Sequence, residues 1–159
     1  HTLAVARLTQ VACSLYPEMD RDLAITLALL HDLGKVDAYD RISFGFTEEG
    51  AMLGHLYMSA RRVEHELDQM EGFGPELRLK VVHGILAHHG QKEYGSPVVP
   101  MTLEAIVVHH ADLLDSSTRG AIDHLERSHD GDSAFTKYST ALETRLYRGS
   151  QETEDAAAW

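Results

Sequence analysis

The sequence is poor in the residues that build cross-links and rigid turns. It has one cysteine, Cys13, and four prolines in 159 residues. A lone cysteine excludes an intrachain disulfide and any metal site built on a cysteine pair. Its place in an apolar helical stretch marks Cys13 as a small core residue. No apolar run approaches the roughly 20 residues that a membrane span needs. The opening residues lack the basic start and cleavage site of a signal peptide, so the cytoplasm is the expected compartment. Glycine-rich phosphate loops are missing, and no Ser-His-Asp or Cys-His arrangement is readable. Nor is there an internal repeat, a coiled-coil heptad or a low-complexity tract. Cations are scarce: 14 Lys and Arg stand against 25 Asp and Glu, a formal net charge of -11. That sign argues against broad nonspecific nucleic-acid binding by this chain alone.

What the sequence has in excess is histidine, 11 in all. Several sit at the ends of apolar runs, and with nearby aspartates they read in order His1, His31-Asp32, His55, His88-His89 and Asp112. Imidazole and carboxylate together suit Mn, Fe, Co, Ni or Zn better than Mg or Ca alone. The set points to a metal-dependent hydrolase.

The length fits one domain with a real core. Apolar residues recur at helical spacing from Thr2 to Leu15. Asp20 is a plausible N-cap for a second helix, from Arg21 to about His31, apolar on nearly every side and therefore central. Gly34 stops it. Residues 37–46 read as a loop, with a short extended piece near 42–46. Thr47 caps a third helix running to about Met70, with Glu48 and Glu49 placed against its dipole. Pro75 starts a fourth, which ends at His89 before Gly90. Thr102 caps a fifth through about Asp115, a sixth covers 121–127, and Asp132 or Ser133 begins a last one reaching Arg148. Nothing offers a convincing sheet, so the expected fold is an all-α bundle of six or seven helices over 1–148, with 149–159 a frayed tail.

Each candidate has a plainer alternative. His31-Asp32 ends the most apolar helix, where a charge is costly unless paired or metal-bound; a cap with a salt bridge competes evenly with a ligand role. Lys35, four residues after His31, can face the same site and meet a phosphate oxygen, or be a solvated lysine. Adjacent His88 and His89 point about 100° apart, so both reach one site only near a helix end, which is where they are. His83 is set to orient a ligand or touch substrate. His55 follows Gly54 in mid-helix, where a lone histidine is more often a core residue. Asp112 sits among Ile106, Val107, Val108, Leu113 and Leu114 and needs a partner; His109 or Asp115 can support it, and Asp115 can instead cap the helix. His65, His110 and His124 read as ordinary polar positions.

The order His, His-Asp, Asp matches the HD-domain superfamily of metal-dependent phosphohydrolases. The strings LLHDLGK (29–35), TEEGAMLGH (47–55), ILAHHGQKEYGSPVVP (85–100) and EAIVVHHADLLD (104–115) are sharper. They resemble the HD domain of YhaM-type 3'-to-5' exoribonucleases. The opening HTLAVA is similar to that family's first-histidine helix, and RLYRG to its C-terminal helix. The resemblance implies the helical HD bundle. It implies one metal held by His1, His31, Asp32 and Asp112, and a second by His55, His88 and His89. Lys35 would contact the scissile phosphate, and the loop from Gly95 through Ser96 to Pro97 would lie near the substrate entrance.

The expected cofactor is therefore one or two divalent transition-metal ions, about 3.5–4 Å apart where two are bound. Asp32 would bridge them and orient the nucleophile, with Lys35 stabilising charge on the phosphoryl oxygens. His109 and Asp115 are candidates to hold the ligands in place. The expected substrate is the 3' end of single-stranded nucleic acid. A small mono- or cyclic nucleotide is the alternative, and a non-catalytic nucleotide-binding regulatory module a third reading. YhaM-type enzymes carry an N-terminal OB-fold that would grip single strands. This sequence opens on the first-histidine helix, so either such a domain precedes His1 or the HD unit stands alone.

Overall fold

The computed structural model describes residues 1–128 and 133–149. It is helical, and among the described residues the extended pairing amounts to isolated β-bridges. The α-helices are α1 (Thr2–Leu15), α2 (Arg21–Leu30), α3 (Lys35–Ala38), α4 (Glu48–Leu67), α5 (Pro75–Ala87) and α6 (Leu103–Arg127), with a 3-10 turn at Lys92–Tyr94. The chain groups into two compact units, His1–Leu113 and Leu114–Trp159. Among the described residues no helix is long and apolar enough to cross a membrane.

The helix starts are the expected ones. Asp20 Oδ1 accepts from the Leu23 amide at 3.0 Å, and Thr47 Oγ1 from the Gly50 amide at 3.0 Å. Thr102 Oγ1 accepts from the Ala105 amide at 3.1 Å. Each satisfies an amide that the first helical turn leaves without a partner. Pro75 occupies the first turn of α5, where its missing N–H costs nothing.

Three expectations change. The start of the 37–46 loop belongs to α3, one helical turn nucleated directly behind the His31–Gly34 turn. The anticipated fifth and sixth helices are one, α6, because 116–120 contains no proline and Gly120 costs a helix only about 1 kcal/mol. The last helix does not form in 133–148. Phe135 pairs with Tyr147 and Ser139 with Thr144, as suits a segment rich in Thr and aromatic side chains. Asp132 and residues 150–159 of the expected tail lie outside the described residues.

The core of the first unit joins Val5, Leu23, Leu27, Ala28, Ala60, Val63, Val81, Ile85, Val108 and Ala111 from α1, α2, α4, α5 and α6. Leu27 and Ile85 are fully buried, each contributing about 1.5–3 kcal/mol through apolar transfer. Cys13 is only half-buried on α1. The packing of α2 against α1 and α5 sets three helix termini close together, and the site is built there.

One backbone feature aims a site residue. Gly54 has φ 72° and ψ 151°, a conformation essentially reserved for glycine, and it kinks α4 immediately before His55. A Cβ there would meet no neighbouring atom within 4 Å, so the obstacle to substitution is backbone strain alone. Gly54→Ala is expected to lose about 1–3 kcal/mol in urea unfolding. Gly120→Ala, in the helical interior of α6 with open space around it, is expected to be neutral or to gain up to about 1 kcal/mol. Equal effects of the two would show that the kink is not held by glycine.

Candidate metal centre

Five chain segments deliver the seven candidate ligands. His1 stands at the head of α1, and its carbonyl accepts the first helical hydrogen bond, from Val5, at 3.0 Å. His31 caps α2 and Asp32 follows in the turn. His55 lies just past the α4 kink, His88 and His89 end α5, and Asp112 is on α6. All lie within the first compact unit.

Asp32 is the hub. Its Oδ2 lies 3.3 Å from His31 Nε2, 3.6 Å from His1 Nε2 and 2.6 Å from Lys35 Nζ. Its Oδ1 lies 3.3 Å from His55 Nε2 and 3.6 Å from His88 Nε2. Asp112 Oδ1 sits 3.0 Å from His1 Nε2 and 4.0 Å from His31 Nε2. His89 joins through ring contacts, 4.9 Å from His55 and 4.6 Å from His88 between centroids. Two groups emerge whose donor atoms all lie within 4.8 Å of one another: His1, His31 and Asp32, and His55, His88 and His89.

The imidazoles are oriented by backbone carbonyls. His31 Nδ1 donates to Ala28 O at 2.8 Å, His88 Nδ1 to Ile85 O at 2.6 Å and His89 Nδ1 to Tyr94 O at 2.7 Å. With the proton placed on Nδ1, Nε2 carries the lone pair, and that nitrogen is the one turned toward Asp32 or toward the other rings. Several of these inward atoms have no hydrogen-bond partner: Asp32 Oδ1, His55 Nε2 and His88 Nε2 are buried and unsatisfied. His55 Nε2 approaches Asp32 Oδ1 without hydrogen-bonding alignment, and His88 Nε2 stops at 3.6 Å, beyond hydrogen-bond reach. Each such atom costs about 1–3 kcal/mol when left unpaired. A divalent cation accepts all of these lone pairs at once, so the residues fit a metal.

Protonation follows the same geometry. Burial pushes the Asp32 carboxyl up, but His31, His88 and Lys35 outweigh it and hold the group well below the usual carboxylate range. Burial opposes charge on His31 as well, yet Asp32 more than compensates and raises its pKa. Proton and metal thus compete for His31 Nε2. His55 is lowered to about 4, first by burial and then by the charges of Lys35 and its histidine neighbours. His89 is lowered mainly by burial.

The remaining candidates fall into different places. Lys35 is paired with Asp32, its side chain 42% exposed, so it reaches the site from the solvent side. His109 Nδ1 donates to the His88 carbonyl at 2.8 Å, and its ring fills the space where a Cβ on Gly90 would fall. It braces the α5 terminus and thereby His88, where the expectation was support of Asp112. His83 accepts from the Met101 amide at 2.9 Å and ties α5 to the start of α6. Ser96 is buried, its hydroxyl donating to Leu86 O at 2.9 Å, so it anchors its loop and does not offer that hydroxyl to a substrate. Gly95 is exposed at φ 86° and closes the 3-10 turn. Asp115 is half-buried on α6, three residues past Asp112.

Two contributors were not foreseen. The Ser59 hydroxyl accepts from the Gly34 amide at 2.7 Å and pins the turn behind Asp32 onto α4. The Tyr94 carbonyl orients His89. The first carries no pattern of its own, and the second is a backbone atom that any residue would supply.

A pH dependence follows with a definite sign. Below pH 6.5 the unfolded chain protonates His55 and His89, while folded His55 resists until about 4. Stability therefore falls as pH falls through that window. His31, raised, is charged in both states below 6.5, and Asp32, lowered from 3.8, is ionised in both states above it, so neither reverses the trend. The melting temperature of EDTA-treated protein is expected to drop steadily from pH 6.5 toward about pH 4.5, with His55→Gln flattening the slope. A flat wild-type profile would contradict the assignment of His55 as a buried neutral imidazole.

Comparison with known proteins places the chain in a family. The family model described as HD domain matches residues 1–117. The 3'-5' exoribonuclease YhaM of Bacillus subtilis (strain 168) is 35% identical over 148 residues, which is 92% of this chain and 46% of that protein. The protein of the same name from Geobacillus sp. (strain WCH70) is 34% identical over 148 residues, 92% of this chain and 45% of its own length. That of Listeria monocytogenes serotype 4b (strain F2365) is 36% identical over 118 residues, 74% of this chain and 37% of its own. The chain spans less than half the length of these curated relatives. No solved structure gives a significant match. The matched region runs from His1 past Asp112 and so takes in every histidine and aspartate of the cluster, and the chain belongs to the HD domain family.

Proposed function

We propose that this chain is the catalytic part of a metal-dependent phosphohydrolase that cleaves the phosphodiester at the 3' end of single-stranded RNA. The observation that carries the reading is the convergence of buried, unsatisfied lone pairs from His55, His88 and Asp32 on one spot. The relatives named as 3'-5' exoribonucleases supply the substrate class.

His1, His31, Asp32 and Asp112 would hold one divalent ion, and His55, His88 and His89 a second, with Asp32 facing both groups. What such an ion supplies is Lewis acidity toward a phosphoryl oxygen and a water acidic enough to be a nucleophile at neutral pH. The carbonyl-bound Nδ1 atoms keep three imidazoles in the tautomer that presents Nε2. Lys35 has three N–H donors and gives one to Asp32; its exposed head is placed to donate another to a phosphoryl oxygen. The Gly95 loop, pinned by Ser96, would border the entrance.

The net charge of -11 favours a second reading, a mono- or cyclic nucleotide as substrate, since a polyanion is repelled more strongly than a small one. A 5'-labelled single-stranded RNA with Mn²⁺ separates the two. The exonuclease reading expects a ladder shortening from the 3' end and abolished by EDTA. An intact oligomer beside hydrolysed nucleotide would select the small substrate. Asp32→Ala is expected to lower turnover by at least about 10³-fold with helical circular dichroism retained, and Lys35→Ala by roughly 10²-fold. Full turnover by Asp32→Ala would end the metal mechanism.

A further inference from the structure

Beyond the residues matched by the family model lies a short hairpin-like segment, 133–149. Its framework is inward and polar. Buried Thr136 accepts the Leu146 amide at 3.0 Å and donates to the Lys137 carbonyl at 2.8 Å. The Thr136 amide donates to Leu146 O at 2.9 Å, the Arg148 amide to Ala134 O at 2.8 Å and the Ser139 amide to Thr144 O at 2.8 Å. Two further bonds tie the segment to the end of α6: His124 Nε2 to Lys137 O at 2.9 Å, and Arg148 to Ser128 O at 2.8 Å. The platform is therefore fixed within its own unit.

Its exposed surface is aromatic. Phe135, Tyr138 and Tyr147 are 44%, 59% and 64% exposed. Phe135 and Tyr147 brace each other at 5.3 Å between centroids, and the Arg145 guanidinium lies 5.9 Å over the Phe135 ring. Within 133–149 the cations are Lys137, Arg145 and Arg148 and the one carboxylate is Glu143, in a protein of net charge -11; Arg145 and Arg148 each donate to a backbone carbonyl, which leaves Lys137 the most available of the three. A water-facing aromatic surface threaded with cations is what a single strand requires: rings on which unstacked bases lie, and charges for the phosphates between them. Phe135, Lys137 and Tyr138 are all exposed around the buried Thr136.

We propose that the 133–149 hairpin is a stacking surface for single-stranded RNA, with Tyr138 and Lys137 its accessible base and phosphate contacts. This rests on the reading of RNA as substrate. It assigns to the hairpin a gripping role that the acidic bulk of the chain does not offer.

The test is fluorescence anisotropy of a 5'-fluorescein single-stranded RNA with EDTA-treated protein at low salt, where binding is read without cleavage. Wild type should bind the single strand better than the duplex of the same sequence. Tyr138→Ala should weaken binding roughly ten-fold, Tyr138→Phe should restore it, and Lys137→Glu should weaken it and flatten its salt dependence. Hydrolysis of bis(p-nitrophenyl) phosphate with Mn²⁺ should be unchanged in all three, which reports an intact fold and site. Undetectable wild-type binding, or equal binding by Tyr138→Ala and wild type, overturns the proposal whatever the hydrolysis shows. So does a wild-type dimer that Tyr138→Ala dissociates without effect on RNA, which would make the face a contact between copies. If RNA binding depends on Tyr138 while no phosphoester is hydrolysed, the surface stands and the catalytic reading falls.

Discussion

The buried Asp32 carboxylate is the constraint around which the first compact unit is arranged. Its side chain is 9% exposed and ionised, and it meets imidazoles from α1, the end of α2, α4 and the end of α5 together with the Lys35 ammonium. A carboxylate in such surroundings costs several kcal/mol unless positive charge answers it. Lys35 answers one oxygen, while the other is left facing unsatisfied imidazole nitrogens. The helix packing that makes the core therefore also holds a deficit of positive charge, which a divalent cation would remove.

The way the histidines are held repeats at two helix ends. His31 donates to Ala28 O and His88 to Ile85 O, each three residues back along its own helix. The last carbonyls of a helix have no amide partner, so a histidine placed there finds a ready acceptor for Nδ1 and turns Nε2 outward past the terminus. The C-terminal ends of α2 and α5 also bring the negative ends of two helix dipoles toward one point, which favours a cation. Glycine enables both arrangements. Gly34 lets the turn after Asp32 press against the backbone at His55 and Ser59, and Gly90 leaves room for His109 to brace His88.

Much of this was legible one residue at a time. The caps at Asp20, Thr47 and Thr102 and the break at Gly90 follow local rules of backbone hydrogen bonding, which sequence displays directly. A buried His-Asp pair at the end of an apolar helix announces a polar demand. Less local outcomes were hidden. His109 braces the His88 carbonyl because α6 passes the end of α5, and spacing within α6 cannot reveal that. Ser96 turned inward because its hydroxyl found Leu86 O across the loop. The 133–149 segment reads equally as a helix until Thr136 becomes a buried hydrogen-bonding centre for the facing residue Leu146.

The sequence by itself determined the class of the fold, the start of each principal helix and the chemical type of the site. Those depend on apolar period, capping chemistry and ligand type, which are properties of neighbouring residues. Only the tertiary structure decided that seven side chains separated by up to 111 positions converge, which nitrogen of each ring faces inward, and which polar neighbours are structural. Those depend on distances between helices, and such distances are set by how whole apolar faces pack together.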